Sequence, residues 1–258
     1  MITIKSGFTS SFIMFIAFFI TVMLTYYLVS KGKKITIRKL PAIDALDEAI
    51  GRATEMGRPI HVTPGDSGLT GLTASETVAG LEVSSYVARR CAEVQVPMYI
   101  TTPNAVVHTL QTDIASQAYR LAGQEFDITN SILFPYWTSF AVGISGLVYR
   151  ENVAANICIG GWHGICLILM ETASRIGAFQ IGGTAATSQL SWFVACCEYY
   201  VLGEEVFAAG AYLSQSVADV SAIWSQDLFK LLVIAIIAFG IVISLTTGSD
   251  WFSNLFNI

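Results

Sequence analysis

PIHVTPGDSGLTGLTASE, residues 59–76, sets a short β-branched run, a glycine-rich loop and a helix-opening pattern end to end. Pro59-Ile60-His61-Val62 reads as a strand, because turn-forming residues bound an apolar run too short for a helix. Thr73-Ala74-Ser75-Glu76 has the spacing of a capping box, in which a threonine and a glutamate three residues on satisfy the open amides of a first helical turn. Between them Gly65, Gly68 and Gly71 let the chain turn. Strand, loop and helix in immediate succession make half of a βαβ unit. The fold depends on whether the rest of the chain repeats it.

It does. Upstream, residues 43–56 place Ile43, Leu46, Ile50, Ala53 and Met56 at helical spacing, with acids in the first turn and Gly57 as the stop. Downstream, the pattern predicts a helix to Val94, a strand over Met98–Thr101, a helix over Asn104–Ala122, a strand over Ser131–Phe134 and a helix over Phe140–Arg150. It continues with a strand over Asn156–Ile159, a helix over Ile165–Arg175, a strand over Ala178–Ile181, a helix over Gln189–Cys197 and a strand over Tyr199–Leu202. A further helix from Glu204 to Asp227 leads toward the carboxyl end. Such alternation specifies an α/β, Rossmann-like, mostly parallel sheet with helices on both faces. Right-handed crossovers bring every loop that follows a strand to one edge, where folds of this kind place ligands.

Farther out, the composition changes. Hydrophobic residues make up 53% of the 258 and charged residues 13%, too apolar for an ordinary soluble chain. Phe12–Val29 and Leu231–Ser249 are uncharged runs of about the length that crosses a hydrocarbon core of roughly 30 Å. No stretch between them is long enough for a third span. The first run is too long, and its basic flank lies on the wrong side, for a cleaved secretory signal. Lys31, Lys33, Lys34, Arg38 and Lys39 follow it, Lys230 opens the second run and Asp250 follows that, so the positive-inside rule puts the middle in the cytoplasm and both ends outside. The expected division is an anchor over 1–31, a cytoplasmic α/β domain over 32–227, and a second span with a short external tail over 228–258.

Cys91, Cys158, Cys166, Cys196 and Cys197 are expected to be free thiols acting as small core residues in a reducing compartment. The absence of a CxxC pair and the scatter of His61, His108 and His163 argue against a structural zinc site. With a formal net charge of -5, the chain offers no nucleic-acid groove, and no cofactor is expected. The basic cluster serves as a topology signal and is placed to touch anionic lipid heads.

At the loop edge, Gly65-Asp66-Ser67-Gly68 spells a hydrolase motif. The trypsin-like version belongs to an antiparallel barrel, and the lipase-like version needs a downstream Asp and His pair. Here no DxxH occurs, His108 falls on a helix and His163 in another loop, so Asp66 and Ser67 are read as local turn-stabilising side chains. Gly160-Gly161-Trp162-His163-Gly164 and Gly182-Gly183-Thr184 each follow a strand and precede a helix. They lack the lysine and spacing of a phosphate loop, yet their amides could face an anion. Candidate ligand-binding residues are therefore Gly65, Asp66, Ser67, Gly68, Gly160, Gly161, His163, Gly182, Gly183 and Thr184. Trp162, an aromatic among glycines, is read as a subunit-interface contact. Glu204 and Glu205 favour a helix dipole, Glu171 is either a rim charge or a partner for Arg175 four residues on, and His61 reads as a satisfied core histidine.

The segments PAIDALDEAIGRATEMGRPIHVTPG, RENVAANICIG, AFQIGGTAATSQLSWFVACCEY and GEEVFAAGAYLS resemble a family of uncharacterised membrane proteins of archaea and of bacteria such as the Chloroflexi. The family's glycine loop keeps the TPG and GLTG pieces, without Asp66 and Ser67. The resemblance implies no activity, cofactor or catalytic residue. Two functions are carried forward: a homo-oligomeric, membrane-associated scaffold, and an enzyme or sensor binding a small anionic ligand, such as a nucleotide or phosphorylated metabolite, at the loop edge.

Overall fold

A computed structural model describes residues 9–33, 35–36 and 38–247. The chain divides into two compact units, one of them Arg38–Ser214 and the other formed by the segments that flank it.

The Arg38–Ser214 unit has the expected α/β fold. Its elements are α2 (Pro41–Met56), β1 (Ile60–Gly65), α3 (Ala74–Val94), β2 (Met98–Thr102), α4 (Ala105–Leu121), β3 (Ser131–Leu133) and α5 (Trp137–Glu151). They continue with β4 (Ala155–Gly161), α6 (Cys166–Arg175), β5 (Phe179–Thr184), α7 (Leu190–Cys196), β6 (Tyr199–Leu202) and α8 (Glu205–Ser214). Every strand pair is parallel and the order is β3-β2-β1-β4-β5-β6. The order reverses between β1 and β4, which opens a topological switch point at the carboxyl ends of those two strands.

Alternation along the strands builds two different cores. Ile60, Val62, Ile100, Ile157, Ile159 and Ile181 point to one face and join α2, α3, α4 and α8 in an aliphatic core. The other face carries a buried polar row beneath α5, α6 and α7. The Thr101 hydroxyl and Asn156 Oδ1 flank the His61 ring at 2.8 and 2.7 Å. Asn156 Nδ2 donates to Gln180 Oε1, and Gln180 Nε2 donates onward to Met170 O, Ser174 Oγ and Cys196 O. Because Asn156 Oδ1 is an acceptor, His61 carries its proton on Nδ1 and takes the Thr101 hydroxyl proton on Nε2. His61 is the satisfied core histidine expected of it, and burial lowers its pKa to about 4 against an opposing hydrogen bond from Asn156.

Local signals held in most places. Gly57 ends α2 at φ 61, with Arg58 N donating back to Ala53 O. Asn104 caps α4 through its side chain, and Arg175 pairs with Glu171. The capping box at Thr73 is a correction: Thr73 makes no side-chain cap, and Glu76 turns away from its own helix end. A better partner outcompetes the local one, as described below.

The flanking unit contains α1 (Thr9–Ser30) and α9 (Val217–Thr247). Both are long and apolar enough to cross a membrane, over Ser11–Ser30 and Val217–Ile243. Small hydroxyl residues line their seam: Thr21, Thr25, Ser221 and Ser225 are buried, and each hydroxyl bonds a carbonyl of its own helix. This lets the backbones approach without an unsatisfied polar group. The helix expected from Glu204 to Asp227 is broken at Gln215, which is left-handed at φ 51, and α9 then runs uninterrupted from Val217. Lys5, Lys34, Gly248, Ser249, Asp250 and the two tails, on which the expected orientation partly rests, lie outside the described residues.

Candidate functional site at the β1–β4 switch point

The glycines of the first and fourth loops serve close backbone contact. A Cβ on Gly65, at φ +100, would fall 2.1 Å from Gly161 O, and one on Gly160, at φ +148, would fall 2.0 Å from Pro64 O. The carboxyl ends of β1 and β4 therefore meet main chain to main chain, with a register shift between Thr63 and Gly65. The amides of Asp66 and Ser67 both donate to Gly161 O, at 3.0 and 3.2 Å. Those two amides, which an anion would need, are thus already engaged.

An internal anion stands in their place. The Asp66 side chain is fully buried and gathers the His163 amide, His163 Nδ1 at 2.8 Å and Trp137 Nε1 at 3.0 Å. Three separate loops, after β1, β3 and β4, are tied together at this one carboxylate. The His163 ring, 54% exposed, turns its Nδ1 toward Asp66 and also lies 3.1 Å from Ser67 Oγ.

This geometry corrects one part of the sequence reading. His163 does stand beside Ser67, although the two are far apart in the chain. It does not form a hydrolytic relay. In a relay the serine and the carboxylate engage opposite ring nitrogens; here both crowd Nδ1, whose proton points to Asp66. No lone pair remains there to accept the Ser67 proton, and Ser67 itself is buried with its Oγ against Gly161. The ring's lone pair is on Nε2, which has no partner among the described residues.

The remaining candidates separate into other roles. Gly68 lies against the Asn104 amide group. Gly182 is packed by Phe193 and Cys197, and Gly183 by Val201, so both fill tight spaces within the sheet. Thr184 is buried, and its hydroxyl donates to Glu76 Oε2 at 2.9 Å while Ala185 N donates to the same oxygen at 2.8 Å. These two bonds draw Glu76 from the capping box: a buried carboxylate gains charge-assisted bonds that a frayed helix end does not supply. Trp162 is also corrected. It is 1% exposed, packed between the tilted rings of Phe140 and Phe193 in the core under α5 and α7, and offers no surface to a neighbouring subunit. Its Nε1 is buried without a partner among the described residues.

Sequence reasoning passed over Trp137 and Glu76. Trp137 belonged to an edge loop but not to a glycine motif, and Glu76 was absorbed by a local pattern. Burial raises the Cys166 thiol to about 11 and the Cys91 thiol to about 12, so both remain protonated near neutral pH. Among the described residues, no group of three or more His, Cys, Asp or Glu side chains is placed to hold a metal ion.

A family model described as a domain of unknown function, DUF6754, matches residues 3–256. The chain belongs to that family. Comparison with curated proteins and with solved structures finds no match.

Proposed function

We propose that the chain is a membrane-anchored α/β protein that assembles with copies of itself and serves a structural, scaffold-like role. The observation that carries this reading is apolar exposure on the helices covering the polar face of the sheet. Val142 and Tyr149 of α5, Ile168 of α6, and Trp192 and Val194 of α7 are each 40% exposed or more. The helices on the opposite face expose Met56, Val78, Val106, Leu110 and Leu121 as well, so apolar exposure lies on both sides of the sheet; exposed apolar groups in such number mark interaction surfaces. Two apolar helices support anchoring, and the basic cluster after α1 supports a cytoplasmic domain with both ends outside. Anchoring in one plane and one orientation would raise the effective concentration of like surfaces. The resemblance to archaeal and Chloroflexi membrane proteins carrying a TPGxxGLTG loop accords with this. The test is the mass of the full chain in several gentle detergents and in nanodiscs; a monodisperse monomer in all of them overturns assembly. Protease digestion of the domain from outside sealed vesicles, with the ends protected, overturns the orientation.

One observation favours a second reading, an enzyme or sensor for a small anionic ligand. The His163 side chain is 54% exposed at the switch point, its ring oriented by a buried carboxylate, as in groups that contact ligands through the distal nitrogen. Thermal-shift screening against nucleotides and inorganic phosphate separates the two, since a ligand that binds the folded state raises apparent stability. A shift that disappears in His163→Ala supports the ligand reading; no shift at millimolar concentration removes it.

A further inference from the structure

The flanking unit contains a charge pair where an anchored chain can least accommodate one. Asp227 and Lys230 of α9 stand 3.8 Å apart, with side chains 62% and 46% exposed. They lie away from the buried seam residues Ser221 and Ser225 that face α1. Two contacts within this unit gauge their depth. Phe18, in the middle of α1, packs edge-on against Phe229 with ring centroids 5.1 Å apart. Lys33, just past the end of α1, lies over the Trp224 ring at 4.3 Å. By the Lys33 contact, Asp227 and Lys230 lie about one and two helical turns to the apolar side of the water boundary at about 1.5 Å per residue, and by the Phe18 contact they lie deeper, level with the middle of α1.

If α1 is immersed over Ser11–Ser30, the pair sits in hydrocarbon with half its surface toward lipid. Charged groups at such depth are rare and face protein or water rather than acyl chains. Sliding the hairpin toward the cytoplasm until the pair reaches water does not solve the problem. It would strip lipid from Ile20, Met23, Leu24, Tyr26 and Tyr27 of α1, each at least half exposed. Lipid alone therefore cannot satisfy both helices, and a protein surface is needed against α9.

Resting on the reading of an anchored, self-assembling chain, we propose that this face of α9 packs against the same face of α9 in a second copy, Asp227 of each helix meeting Lys230 of the other. Charge complementarity selects this occupant. The patch carries one acid and one base a turn apart, so two parallel helices related by a two-fold axis along the membrane normal satisfy both pairs at once. Toward the bilayer centre the same face continues with Leu231, Ile234, Ile241 and Leu245, spaced by three, four or seven residues and all exposed, which is the repeat of a helix–helix seam.

The test uses the full chain in membranes and then in nanodiscs, with mass photometry across a dilution series. Wild type is expected to resist alkaline extraction and to run as an oligomer. Asp227→Lys, which sets like charges against each other, is expected to raise the apparent dissociation constant by at least about tenfold. The exchanged variant, Asp227→Lys with Lys230→Asp, is expected to return to near the wild-type value. Alkaline extraction of wild type would refute anchoring, and a monomeric wild type would refute assembly. An oligomer unchanged by Asp227→Lys would overturn only this interface, leaving assembly in place. Failure of the exchanged variant to recover would overturn the pairing.

Discussion

Acidification below neutral should destabilise the α/β unit through one residue, His61. Its ring is wholly buried, with a neutral network on both nitrogens, and its pKa falls from 6.5 to about 4, chiefly because burial disfavours the charged form. The unfolded chain binds a proton near pH 6.5 while the native chain refuses it until about pH 4, so between those values the unfolded state holds more protons. Stability from this group is fully present above pH 6.5 and lost as pH falls toward 4. At about 1.4 kcal/mol per pKa unit, the full loss is about 3 kcal/mol. For a domain of this size that corresponds to about 6–12 °C in Tm. The assay is intrinsic tryptophan fluorescence on heating, from pH 8 to pH 4, of the full chain and of His61→Gln in the same detergent. Glutamine keeps an uncharged polar side chain beside Thr101 and Asn156 but cannot take up a proton. Its constant cost cancels in the pH dependence, as do the carboxylates common to both proteins. Wild type should lose stability relative to the variant as pH falls. Parallel curves would refute the buried, neutral histidine.

Gly65→Ala forces a Cβ to 2.1 Å from Gly161 O at φ +100, and should destabilise by about 3 kcal/mol through overpacking and left-handed strain. Gly51→Ala, on an exposed turn of α2 with nothing within 4 Å, should instead stabilise by about 1 kcal/mol; chemical denaturation of the pair checks both signs. Asp66→Ala strands the His163 amide and Trp137 Nε1 and should cost about 2–3 kcal/mol, with a change in Trp137 emission. Trp162→Phe removes a buried, unpartnered N–H and should cost less than about 1.5 kcal/mol, against about 3–5 kcal/mol for Trp162→Ala.

Elements with strong periodicity were legible in the sequence, among them α2, α4, β4 and β6. Pro59-Ile60-His61-Val62 announced a strand because its bounding residues act over a few positions. The same local logic misled at Thr73 and Glu76, where the capping pattern was present but Thr184 and Ala185, from another strand's loop, offered stronger bonds. It also misplaced Trp162, because glycine neighbours suggest exposure while the face of β4 determines burial. Gln215 carried no glycine or proline signal, so the break before α9 went unread.

By itself the sequence determined the α/β rhythm, the common edge of the post-strand loops and the two apolar helices, because each follows from short-range periodicity, chirality or segment hydrophobicity. Only tertiary structure decided that β1 and β4 are neighbours and that Asp66, Ser67, His163 and Trp137 meet there. Strand order is chosen by the packing of whole faces, and no local pattern records which distant loop a carboxylate will find. The shared use of Nδ1 by Asp66 and Ser67 depends on ring orientation, which is set by contacts between loops rather than by the letters of the motif.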